Sequence, residues 1–328
     1  MTRRRAPRWV AEAVAWSAAL VMFAGVAVVA TGVINTHDGE TLTVETPVIE
    51  PAVVSVTKQP TRPVTTKRGV TNRARTGVPV EQSLGPPPGP QYDPVPTAFA
   101  APEDRYAFLA GVTRYRKPTH DTIAGANDAV FIRSMLLASG WLPQNIRIVT
   151  NEAATGASLR AGLSWLASRS RPGTFTLFHF SGHVKQAGGH EKLWPYDRDF
   201  VPDNEVAAIL NQGTGKMWVD VAGCEAAGFI ENLPSSRVLV STSSKSTQKS
   251  YEYPAWGESV WTGLLFDVGL GQGQADANRN GTTTVGEALR YATYYAQSVT
   301  LRQRPYGRQT PQVAGDPVRG WTLENPPA

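Results

Sequence analysis

A mainly parallel α/β sheet covered by helices on both faces is the fold predicted for residues 99–328. Two observations lead there. Short apolar runs such as RYAFLAGV, NIRIVT and RVLVST recur between polar loops, as buried strands do. They alternate with longer stretches whose apolar residues fall at helical spacing, and that alternation is the signature of parallel strands joined by crossover helices.

In order, residues 105–112 predict a strand, followed by a polar loop. NDAVFIRSMLLASG predicts a helix capped by Asn127 or Asp128 and stopped at Gly140, with Ala129, Ile132 and Leu136 on one face. Residues 145–150 predict a strand, and ATGASLRAGLSWLAS a helix with Leu159, Leu163 and Leu166 aligned. Strands follow at 174–181, 216–221 and 237–242, with helices near 205–210, 259–268 and 285–297. In such sheets reactive groups collect beyond the carboxyl ends of the strands. That rule selects 181–183 after one strand and Gly223–Cys224 after the next.

The N-terminal part reads differently. Residues 13–34, AVAWSAALVMFAGVAVVATGVI, carry no charge and match the length of about 20 residues that a membrane helix needs. A cleaved secretory segment is the alternative, with a small-residue site after Ala30. Arg3, Arg4, Arg5 and Arg8 precede this run, whereas Asp38, Glu40 and Glu45 follow it. The expectation is therefore a cytoplasmic tip (1–12), a single-pass anchor (13–34) and everything after it outside the cytoplasm, secreted if cleaved. Residues 35–98 are Pro-rich and predict a disordered tether, although the valine-rich piece 45–56 admits a strand or two. The tip supplies three of the five net positive charges, so no nucleic-acid surface is expected. The one cysteine, Cys224, excludes an internal disulfide framework.

A thiol becomes a nucleophile as thiolate, and a nearby imidazole is a common way to generate one. Of five histidines, His37 lies in the tether, His120 in a polar loop, His190 in a Gly-rich loop and His179 within a strand. His183 closes FHFSGH where the chain leaves the sheet, level with Cys224. From these residues alone, a catalytic pair and a small buried thiol both remain open.

The succession RYAFLAGVTRY, AGANDAVFIRSMLLASG, VTNEAATGASLRAGLSWL, FHFSGH, LWPYD and VDVAGC resembles the caspase-like cysteine peptidases, in particular bacterial members near the metacaspases. The resemblance spans roughly residues 105–291 and implies a caspase-like sandwich that hydrolyses peptide bonds with a Cys–His dyad and requires no cofactor. His183 would be the base and Cys224 the nucleophile, with the amides of Val184 and Cys224 holding the oxyanion. It also implies cleavage after Arg or Lys, with Asp128, Ser181 and Asp220 as substrate-binding residues and a peptide or protein as partner. Ser243 and Tyr251 would line the cleft. Three positions depart from the family pattern: Val184 replaces the usual Gly, Ala222 the usual Asp, and Glu225 the frequent His. Aligning Asp220 with that Asp instead would put Ala222 at the nucleophile's place. The departures leave an alternative, a catalytically inactive domain binding peptides or proteins at the cell envelope.

DANRNGTTTVGE matches the spacing of an EF-hand loop, with Asp276, Asn278, Asn280, Thr282 and Glu287 as ligands of a weak calcium site. The alternative is a polar turn with Glu287 starting the next helix.

Overall fold

The computed structural model describes residues 27–35, 41–49, 100–233, 236–302, 307–315 and 320–323. The chain divides into two compact units, Met1–Val70 and Thr71–Ala328. In the first, strand β1 (Ala27–Asn35) pairs antiparallel with β2 (Thr41–Ile49), Ala27 opposite Ile49 and Asn35 opposite Thr41. One expectation is corrected here. The segment 13–34 is strand, not membrane helix, over its described part, because Val28, Val29, Thr31, Val33 and Ile34 favour extended backbone and find a partner rich in β-branched residues. Strand β2 falls within 35–98 and overlaps the valine-rich piece 45–56, where a strand was the alternative reading. Residues 13–26, and the tether at 36–40 and 50–98, lie outside the described residues, among which no helix is long and apolar enough to cross a membrane.

The second unit runs β3 (Arg105–Gly111), α1 (Gly125–Ala138), β4 (Ile146–Thr150), α2 (Gly156–Arg169) and β5 (Phe175–Ser181). Then come β6 (Val184–Ala187), β7 (His190–Leu193), β8 (Val201–Pro202), α3 (Asp203–Leu210), β9 (Lys216–Ala222) and β10 (Val238–Thr242). After β11 (Glu252–Tyr253) and β12 (Glu258–Ser259), α4 (Val260–Thr262) runs into a π-helix (Gly263–Gly271), and α5 (Val285–Arg302) and β13 (Gln312–Ala314) complete the unit. The main sheet has the order β13-β10-β9-β5-β3-β4, parallel except for β13.

Side-chain alternation divides the core into two layers. Ala107, Leu109, Phe175, Leu177 and Trp218 face α1, the π-helix and α5, while Phe108, Phe178, Phe180, Val219 and Val221 face α2 and α3. The strands and helices expected between residues 105 and 297 are all present. The antiparallel β6-β7-β8 sheet and the β11-β12 pair were not predicted, since strands this short and partly exposed carry no apolar run.

Helix α1 begins two residues before the expected cap, and its N-cap Ala124 offers no side chain for the role. The Glu252 carboxylate accepts from the Ile123 and Ala124 amides at 2.8 and 2.7 Å, and Thr113 Oγ1 accepts from Ala126 N–H at 2.9 Å. Groups distant in sequence thus satisfy amides that a local cap normally serves, which frees Asp128 to turn inward.

Candidate active site

Register sets the site. His179 lies opposite Asp220 and Ser181 opposite Ala222, so β5 and β9 end level. The Gly182 amide then donates to the Ala222 carbonyl at 3.1 Å, holding the two exits side by side.

His183 is fixed on three sides. Its amide donates to Tyr115 Oη at 2.7 Å, and its ring packs on Tyr115 and Trp194 with centroids 4.7 and 5.7 Å away. Its Nε2 lies 2.9 Å from the His120 carbonyl, which can only accept. Nε2 therefore carries the proton, and in the neutral ring Nδ1 is the free acceptor. Gly182 is required beside it: φ is +153°, and a Cβ there would stand 2.5 Å from Tyr115 Oη.

The turn bearing Cys224 is held from β10. The Gly223 carbonyl accepts from the Ser243 and Ser244 hydroxyls at 3.0 and 2.9 Å, and its amide donates to Ser243 Oγ at 2.9 Å. Glu225 follows in the left-handed region at φ +59°. The thiol accepts from the Ser250 amide at 3.4 Å and faces the Ser250 carbonyl at 3.8 Å. Burial pushes the thiol's pKa up and the Glu225 carboxylate adds to this, against the lowering effect of the Ser250 amide.

A cavity of about 440 Å³ is lined by His183 and Cys224 together with Ser181, Tyr251, Glu252 and Ser259. Thiol and imidazole share it without a direct hydrogen bond among the described residues. Two nearby amides are unengaged. Cys224 N–H has no hydrogen-bond partner among the described residues. The Trp194 amide donates to the His183 carbonyl at 3.1 Å, so antiparallel alternation makes Val184–Leu193 a non-hydrogen-bonded pair and leaves Val184 N–H outside the ladder.

Asp128 lies beneath this cavity rather than in its wall. It is fully buried, accepting from Ser181 Oγ at 2.6 Å and the Ser259 amide at 3.1 Å, and burial raises its pKa above the ordinary carboxyl range. Asp220, expected at the substrate pocket, is instead part of a buried network. It accepts from Ser241 Oγ and, at 2.9 Å, from Trp261 Nε1, and lies 2.8 Å from His179 Nδ1. The reason is periodicity: two residues before the strand end, Asp220 faces the π-helix layer below the cavity. Tyr251 lines the cleft as expected, whereas Ser243 lies under the Cys224 turn. Tyr115, Ser244, Glu252 and Ser259 went unrecognised, since their link to the site is purely tertiary.

The calcium-loop residues are engaged with their own backbone. Asp276 accepts from the Asn280 and Gly281 amides at 3.1 and 2.8 Å, Asn278 from the Asn280 amide at 3.0 Å, and Asn280 from the Thr282 amide at 2.8 Å. Glu287 Oε2 accepts from Thr284 N–H at 2.9 Å while Thr284 Oγ1 accepts from Glu287 N–H at 3.2 Å, a reciprocal capping box for α5. Among the described residues no group of three or more His, Cys, Asp or Glu side chains is placed to hold a metal ion. The same residues thus form a helix start and keep the spacing of the calcium-loop pattern. Glu287→Ala is expected to lower stability by about 1–2 kcal/mol with or without calcium. A thermal midpoint that depends on Glu287 only in millimolar calcium would mark it as a ligand instead.

No family model matches the chain, and no curated protein matches it. Among solved structures it is similar to the crystal structure of protein GSU0716 from Geobacter sulfurreducens, at 14% identity and a TM-score of 0.49, over 67% of this chain and 98% of that one.

Proposed function

We propose that the second unit is a caspase-like cysteine endopeptidase in which Cys224 attacks the scissile carbonyl and His183 moves the proton. One observation carries this: a single cavity joins the thiol to an imidazole whose Nε2 is already committed to a carbonyl. Nδ1 takes the thiol proton as the C–S bond forms, and the amides of Cys224 and Val184 donate to the oxyanion. His183 then protonates the leaving amine, the C–N bond breaks, and water hydrolyses the acyl-enzyme with the same ring as base. No cofactor takes part. We place this chemistry outside the cytoplasm, supported by Arg3, Arg4, Arg5 and Arg8 ahead of the uncharged apolar residues 13–26, a basic tip and apolar core of the length an export segment has.

Specificity for Arg or Lys before the scissile bond follows from two carboxyl groups, Glu252 in the wall and Asp128 behind Ser181 and Ser259. An arriving cation would favour the ionised form of Asp128 and recover some of what its burial disfavours. Fluorogenic peptides test the proposal. Wild type is expected to cleave Arg and Lys peptides in preference to neutral ones. Asp128→Asn should reduce kcat/KM for the Arg peptide by about 10- to 100-fold, the equivalent of one charged hydrogen bond. Absence of hydrolysis with every peptide would overturn it.

The raised thiol pKa and the Ser250 contacts favour a second reading, an inactive domain that only binds peptides. It predicts saturable peptide binding without turnover.

A further inference from the structure

A second cavity, of about 540 Å³, is also lined by His183, together with His120, Lys185, Trp194, Arg198 and Phe200. We propose that it is a subsite for an acidic side chain on the leaving-group side of the scissile bond. Its orientation rests on the peptidase reading: a base that protonates the leaving amine must have that amine against its ring. The first cavity holds the thiol, so the chain beyond the amine crosses His183 into the second.

The charge of this cavity selects the ligand. Neither Lys185 nor Arg198 has a carboxylate partner among the described residues, whereas nearby Arg114, Lys117 and Arg160 all do. Arg198 is positioned in advance. Its Nε donates to Thr119 Oγ1 at 3.2 Å and its Nη2 to the Arg116 carbonyl at 2.8 Å, which leaves Nη1 unengaged among the described residues. Its backbone sits at φ +66°, a region that non-glycine residues seldom occupy and that the surrounding contacts must maintain. Lys185 Nζ lies 5.7 Å from the Trp194 ring centre and 5.1 Å from that of Phe200, so its cation is steered over the aromatic floor. Cations and aromatic walls suit a Glu or Asp side chain and oppose a Lys or Arg.

The full chain carrying Cys224→Ala, which cannot turn over its ligand, is titrated by fluorescence anisotropy with labelled Ala-Arg-Glu-Ala and Ala-Arg-Lys-Ala. The Glu peptide is expected to bind about tenfold more tightly at low salt, with the gap narrowing as ionic strength rises. Adding Arg198→Ala or Lys185→Ala should bring the two peptides to within about twofold. Lys185 is exposed, so its variant decides the matter even if the Arg198 loop fails to fold. Equal binding of both peptides, or a preference that survives both substitutions, would overturn the subsite. Hydrolysis of the same peptides by the unsubstituted chain is scored separately. A binding preference without turnover removes the peptidase reading and leaves the carboxylate site standing, whereas turnover without preference does the reverse.

Discussion

Cys224→Ala is expected to lower peptide hydrolysis by about 10⁴-fold or more while leaving the thermal midpoint nearly unchanged. The rate loss follows because no other side chain in the cavity offers a comparable nucleophile. The stability is retained because the thiol's contacts are long, 3.4 and 3.8 Å to the Ser250 backbone, and the removed atom sits at a cavity wall. His183→Ala should have a similar effect, and the double variant should be little worse than either, since in the proposed mechanism the two groups act as one unit. Alkylation by iodoacetamide supplies the pH axis. A thiol whose pKa is raised holds less thiolate at neutral pH, so the rate should still be climbing above the ordinary thiol value of about 8.5. Glu225→Gln removes one raising influence and should shift that curve to lower pH. Hydrolysis that persists in Cys224→Ala would dismiss the thiol altogether.

The largest stability effect is expected from Asp220→Ala, a loss of about 3–5 kcal/mol, because it leaves His179, Ser241 and Trp261 without their shared acceptor inside the core. For a unit of this size that lowers the thermal midpoint by roughly 6–20 °C, measurable by circular dichroism. Asp220→Asn should cost less, keeping an oxygen for two of the donors, and should leave the preference for Arg peptides intact. If Asp220→Ala instead kept its midpoint and lost that preference, Asp220 would belong to the substrate pocket after all.

These two residues also mark how far the sequence could be read. Apolar runs and helical spacing located the central strands, and the rule that chemistry gathers past their carboxyl ends brought His183 and Cys224 to one cavity. Local spacing could not tell which face of β9 would hold Asp220, because that depends on the register with β5 and on Trp261, 41 residues on. Nor could it find Ser259 for Asp128, 131 residues away. At residues 27–35 the same β-branched residues satisfied the length rule for a membrane helix and the composition of a strand. The pairing segment that resolves the ambiguity comes later in the chain. Glu287 fits two patterns in the same way, and its capping box with Thr284 is the one the structure shows.

Tyr115 has a consequence for how such a chain could age. Its hydroxyl occupies the space of a side chain at position 182 and also takes the His183 amide, so the two residues share one support. A descendant that acquired alanine at 182 would keep its thiol, its imidazole and its sheet, yet the ring would lose its aim. On the chemistry proposed above, that copy would be silent while every catalytic residue was still in place. Among duplicated copies, glycine at 182 would therefore separate a working gene from a retired one better than a count of histidines and cysteines.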